Sequence, residues 1–310
     1  MLQSACNIAY DIPGLRRLPT YYRKNTPTSN AGFIGDYSLF TGGTGDIDVG
    51  MMGLADFSKH HHNIPKYDIL IAFRGTSLSV MDWLNDCKAD QVDSPFSNGK
   101  THHGFLESVN NLENPMLEEL DRLLQKHPDA HIYVTGHSKG GAMATLMGLA
   151  ISTKNNTLSE RIKVVTFGAP RVGDDDFCTG YPLDHFRYES FFDIIPHLPF
   201  SEQEVSMLSE NHHQFIMNPI IHGFHMLPHY SHVGKRHAFR RMTDKQYMYF
   251  KHHKHPGHPV DIYHGSNDEL DTLCSLEAII SAINIITPKN TIKHIVDVHV
   301  FDYDHIPDDL

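Results

Sequence analysis

The residues with the clearest chemical potential are Gly136-His137-Ser138-Lys139-Gly140, a serine with a glycine two positions away on each side. A hydroxyl becomes a useful nucleophile when the backbone presents it to a base, and a sharp turn from strand to helix does this. Such a turn strains the serine and crowds the backbone around it, so only small neighbours fit. The five-residue pattern recurs by chance, and its surroundings decide its meaning. Here Ala130-His131-Ile132-Tyr133-Val134 reads as a short strand running into Thr135-Gly136, and Gly140-Gly141 leads into an apolar helix from Ala142 to Ile151. The start of that helix, beneath Ser138, favours the negative charge that develops on oxygen during acyl transfer.

The elements needed to position this turn alternate along the chain. Val49 to Phe57 and Tyr67 to Phe73 read as strands, and Asp68-Ile69-Leu70-Ile71-Ala72-Phe73 suits a central strand buried on both faces. Leu117, Leu120, Leu123 and Leu124 have helical spacing between Met116 and Lys126. Ile162 to Phe167 and His185 to Phe192 are further strands. This alternation predicts an α/β fold of right-handed βαβ units, with a mostly parallel central sheet flanked by helices. The first forty or so residues are rich in turn formers and end in a loop at Thr41-Gly42-Gly43-Thr44-Gly45. Residues 201–260 are polar, aromatic and His-rich, and read as an insertion or irregular cap. Leu273 to Ile286 then reads as a helix and Ile295 to Phe301 as a last strand. With no repeat and no long linker, residues 1–310 are expected to form one domain, its core at about 45–200 plus 260–310.

Four blocks in one order carry a family resemblance. They are Ala72-Phe73-Arg74-Gly75-Thr76 with Asp82-Trp83-Leu84-Asn85-Asp86, His102-His103-Gly104-Phe105, Thr135-Gly136-His137-Ser138-Lys139-Gly140-Gly141-Ala142, and Thr166-Phe167-Gly168-Ala169-Pro170-Arg171-Val172-Gly173. Across roughly residues 65–200 the chain resembles the class 3, fungal-lipase-like family of α/β-hydrolases. The resemblance implies Ser138 as nucleophile and an oxyanion hole from the backbone N–H groups of Thr76 and Lys139. It implies Asp193, in Phe191-Phe192-Asp193-Ile194-Ile195-Pro196-His197-Leu198-Pro199, as the acid of the triad, following the chain order Ser, Asp, His. Asp174, Asp175 and Asp176 are alternatives, although such a run suits a solvated loop.

The base is less constrained, because sixteen histidines follow Asp193. The family places its base after the last strand, which points to His305 in Asp304-His305, with His299 and His232 as alternatives. Two departures stand out. The stretch from Asp193 to His305 is much longer than in compact fungal members, and Lys139 replaces a leucine common in the family. The Lys139 ammonium is therefore a candidate selector of anionic or phosphorylated lipids. Where fungal members carry a mobile lid, this chain has Leu78, Met81 and Trp83, which are either a lid sensing a lipid surface or a fixed core helix.

Composition narrows the remaining classes. A formal net charge of −11 argues against nucleic-acid partners. Cys6, Cys87, Cys178 and Cys274 lie far apart, which excludes a C-x-x-C zinc site and favours reduced thiols. The 25 histidines, clustered at 60–62, 102–103, 212–213 and 252–258, lack helical ligand spacing and read as compositional bias over metal binding. No apolar run of membrane-spanning length and no secretory leader is visible, so a cytoplasmic or non-classically exported protein is expected. The expected activity is hydrolysis of a lipid acyl ester, glyceride or phospholipid, without metal or organic cofactor and with transient contact to a lipid surface. A soluble carboxylesterase and a catalytically silent binding scaffold are the competing readings; the sequence sets no oligomeric state.

Overall fold

The computed structural model describes residues 2, 21–24, 33–43, 48–57, 67–75, 90–190, 193–204, 206, 228–241 and 260–264. Within them the chain runs through strands β1 (Tyr21–Lys24), β2 (Phe33–Gly42), β3 (Asp48–Ala55), β4 (Asp68–Phe73), β5 (Gln91–Asp93) and β6 (Lys100–His102). Helices α1 (His103–Asn110) and α2 (Glu113–Lys126) lead to β7 (Ile132–His137), α3 (Lys139–Lys154) and β8 (Ile162–Phe167). Short α4 (Asp175–Thr179), then β9 (Asp184–Ser190), β10 (Lys235–Arg241) and β11 (Val260–His264) complete the order.

Nine strands form one sheet in the order β1-β2-β3-β4-β7-β8-β9-β10-β11. From β4 to β10 neighbours are parallel, while β1, β2 and β3 on one flank and β11 on the other are antiparallel. The parallel centre behaves as its composition predicts. Every residue of β4 and β7 is buried, because helices cover such strands on both faces. Helix α3 is buried from Gly140 to Ser152, and its apolar run has no polar stripe because it lies wholly inside the molecule. Phe73, Met116, Val134, Met143, Met147 and Val164 share the larger core, while Leu39, Met51, Leu70 and Tyr133 belong to a second one.

Two expectations change. Thr41 and Gly42 belong to β2, not to a loop; that strand pairs antiparallel with β3, so turn-forming residues there are carried by ladder hydrogen bonds. Residues 235–241, inside the expected irregular cap, instead extend the sheet beside β9. Arginine and lysine hide this strand in the sequence. It enters the sheet because buried Glu189 on β9 meets the Arg236 guanidinium at 2.7 Å. Most of the rest of 201–260, the helix expected at 273–286 and the strand expected at 295–301 lie outside the described residues. No helix among the described residues is long and apolar enough to cross a membrane.

Candidate active site

The carboxyl end of β7 turns into α3 at Ser138, and the backbone there is strained. Ser138 has φ 56° and ψ −131°, and it is the one non-glycine with positive φ among the described residues. An L-residue takes such a conformation only where its surroundings impose it. The surroundings are visible on both sides. A Cβ on Gly136 would lie 2.1 Å from the Gly140 carbonyl oxygen, and one on Gly140 would lie 2.4 Å from that of Phe73. A Cβ on Gly141 would strike Ala169 Cβ at 2.6 Å. Ser138 N–H donates to the Phe167 carbonyl at 3.0 Å, and the Ser138 carbonyl accepts from Gly141 N–H at 2.8 Å. Gly136 is thus required by the backbone at the start of α3, Gly140 by the end of β4, and Gly141 by Ala169 just after β8.

Asp193 follows β9, two strands from β7, on the same edge of the sheet. At about 4.8 Å per strand the two backbones stand roughly 10 Å apart, a gap that a serine, an imidazole and a carboxylate together can bridge. Ligands of open α/β sheets bind outside this carboxyl edge. Asp193 is 1% exposed, and its Oδ1 accepts the Ile195 N–H at 3.0 Å. Of the other expected site residues, Thr76, His305, His299, Leu78, Met81 and Trp83 lie outside the described residues. The alternative acids lie elsewhere. Asp174 caps α4 through the Phe177 N–H, and Asp175 and Asp176 occupy its first turn.

Two of the described histidines, His232 and His102, have structural partners. His232 Nε2 faces the Pro196 carbonyl at 2.6 Å, so this ring nitrogen is spent on the loop after Asp193. Burial holds its pKa well below the ordinary value. His102 Nδ1 accepts the N–H groups of Gly104 and Phe105, capping α1, and the ring stacks on Phe105. Burial lowers its pKa to about 4, as a cap needs, because Nδ1 can accept only when unprotonated. The H-x-G-F block is therefore a helix cap. Among the described residues no three His, Cys, Asp or Glu side chains are grouped to hold a metal.

Two groups of residues went unread in the sequence. The first holds the Asp193 loop. Arg171 donates to the carbonyls of His197 and Pro199 and, at 2.8 Å, to Glu204, which also meets His197 Nδ1 at 2.8 Å. Burial pushes the Glu204 carboxyl up, but Arg171 and His197 outweigh it and hold the acid well below the ordinary range. Glu189 behaves alike, its burial overcome by Arg187 and Arg236. The second group concerns Lys139, whose Nζ lies 2.8 Å from Asp48 Oδ1. Asn111 Nδ2 donates to the other carboxylate oxygen at 2.9 Å. The ammonium is already paired inside the protein, which removes the reason for expecting it to select anionic lipids. The Arg in the T-F-G-A-P-R-V-G block was a readable signal; nothing in the sequence marks Asp48, Asn111, Glu189 or Glu204.

The model of the class 3 lipase family matches residues 70–203, the stretch that runs from β4 through Ser138 to the loop after Asp193. This segment belongs to the class 3 lipase family. The chain is 37% identical over 138 residues to a lipase of Rhizomucor miehei, covering 42% of this chain and 37% of that one. It is 30% identical over 148 residues to the chloroplastic phospholipase A(1) DAD1 of Arabidopsis thaliana, covering 42% and 32%. The chain thus spans about a third of the length of these two relatives. A crystal structure of the lipase from Rhizopus microsporus var. chinensis superposes with a TM-score of 0.52 at 22% identity, covering 88% of this chain and 80% of that one. The class 3 lipase segment and this likeness give the molecule the α/β-hydrolase fold.

Proposed function

We propose that the protein is a class 3 lipase that hydrolyses acyl esters of lipids, glycerides or phospholipids, through Ser138. The observation that carries this reading is the strained φ of Ser138 at the head of α3. Such strain persists only where the surrounding structure over-determines it, and it clusters at active sites. The named relatives, a lipase and a phospholipase A(1), point to the same bond type.

In this mechanism His305 removes the proton from Ser138 Oγ as the oxygen attacks the ester carbonyl carbon. The carbonyl π electrons move to oxygen, and the N–H groups of Lys139 and Thr76 stabilise the oxyanion. Collapse expels the alcohol, which takes the proton from His305 and leaves an acyl-Ser138 ester. Water, deprotonated by His305, then attacks that ester; the acid departs and Ser138 regains its proton. Asp193 orients and charge-balances the imidazolium, and Ile195 N–H fixes one of its oxygens. Leu78, Met81 and Trp83 are proposed as the lid that meets the lipid surface.

The test compares turnover of long-chain emulsified esters with that of short soluble ones, for wild type and for His305→Ala, His299→Ala and His232→Ala. A lipase with His305 as base prefers the emulsion and loses about a thousandfold or more in kcat only in His305→Ala. A preference for short soluble esters would make the protein a carboxylesterase, and full activity in His305→Ala would move the base elsewhere.

A further inference from the structure

The Asp48–Lys139 pair has a place in the fold that a surface ion pair would not. Asp48 is the first residue of β3, is 5% exposed, and sits between two segments that carry the proposed oxyanion donors. On one side its carboxylate holds the ammonium of Lys139, the residue after Ser138. On the other, the carbonyl of its neighbour Val49 accepts the Arg74 N–H at 3.0 Å, on the strand end two residues before Thr76. The two segments also touch directly, since the backbone of Gly140 packs on Phe73 and Arg74 so closely that a Cβ would overlap them. The carboxylate is aimed by Asn111 at the C-terminal end of α1, and Gly43 lies so near that a Cβ there would stand 2.8 Å from Asp48 Oδ2. One residue pair, Asp48-Val49, is therefore tied both to Lys139 and to the Arg74 backbone that leads toward Thr76.

We infer that Asp48 is a positioning residue for the oxyanion hole, acting through Lys139 and oriented by Asn111. This inference rests on the proposed hydrolase reading. An oxyanion donor contributes most when its direction is fixed before charge develops, because reorienting it during the reaction would consume the gain. Gly136, Gly140 and Gly141 close-pack the turn, but none of them has a side chain that could fix α3 relative to β3. The lysine supplies that tie. It also explains why a long cationic side chain is tolerated in a largely buried position, 14% exposed, where an unpaired ammonium would be costly.

The prediction concerns kcat and not KM, since the oxyanion exists only beyond the ground state. Active-site titration with a fluorophosphonate counts competent Ser138 in each preparation, so rates are expressed per labelled site. Asp48→Asn is expected to lower kcat per site about tenfold, slow the labelling step in parallel and leave KM within about twofold. Lys139→Leu cuts the same tie, so the double variant should lose about as much as either single one, where independent effects would multiply to about a hundredfold. Asn111→Ala, which leaves the ion pair and frees one carboxylate oxygen, should lose about two- to threefold and carries the test if Asp48→Asn does not fold. Unchanged kcat per site in Asp48→Asn or Asn111→Ala, with only thermal stability lowered, would overturn the inference, as would a multiplicative double variant. Wild type that folds but never labels would overturn the hydrolase reading, and this inference with it.

Discussion

The two sides of the candidate site are held by different physics. Around Ser138 the backbone of β4, β7, β8 and α3 is packed so tightly that three glycines have no room for a methyl group. Around Asp193 the loop is held by buried charges: Arg171 and Glu204 with His197, and behind them Glu189 with Arg187, Arg236 and His232. Close packing fixes Ser138 where no adjustment is tolerated. Hydrogen-bonded charge fixes the loop of Asp193, and each member there leaves a costly orphan if its partner is removed.

The sharpest way to break this comparison is at its chemical centre. Ser138→Ala should remove at least about a thousandfold of esterase activity while leaving the melting temperature nearly unchanged, because Ser138 Oγ makes no capping bond to α3. Assay and thermal melt of the same preparation check both halves. Next comes steric failure. Gly140→Ala would force a methyl against the Phe73 carbonyl and should cost more than about 4 kcal/mol, seen as insoluble or unfolded protein.

On the Asp193 side the expected loss is graded. Glu204→Gln keeps the volume but leaves Arg171 and His197 without their anion, and should destabilise by about 3 kcal/mol in urea unfolding. A loss as small as that of an exposed ion pair, under about 1 kcal/mol, would mean that the buried charges do not hold the loop.

A further effect is a pH dependence. His102 and His185 have folded pKa values lowered, chiefly by burial, to about 4 and about 3, and His232 is lowered as well. A histidine favoured neutral in the fold contributes stability above its unfolded pKa of about 6.5, and that contribution is lost as pH falls toward the folded value. Urea midpoints should therefore drop steadily from pH 6.5 to 4 and stay flat from 7 to 8. Glu189 and Glu204, with depressed folded values, lose their contribution only as pH falls below the ordinary carboxylate range.

This same division explains what could be read from the amino acids alone. The β4, β7 and β8 strands, α2, α3 and the strained turn were legible because apolar periodicity and glycine spacing report packing directly. The fold class followed from their alternation. Apart from Arg171, the charges that hold the Asp193 loop were not legible, since Glu189, Glu204 and Arg236 look like surface residues until the fold brings opposite charges together. Strand β10 was missed for that reason, its arginines reading as loop. Asp48 was missed because only the antiparallel flank brings it beside Lys139, 91 residues later.

The central claim is that Ser138 is an activated nucleophile. Incubating the intact protein with a fluorophosphonate and mapping the adduct by peptide mass spectrometry tests it most directly. The account predicts one adduct per molecule, on Ser138, and none in Ser138→Ala. A folded wild-type protein that takes up no label, or takes it on another serine, would contradict it.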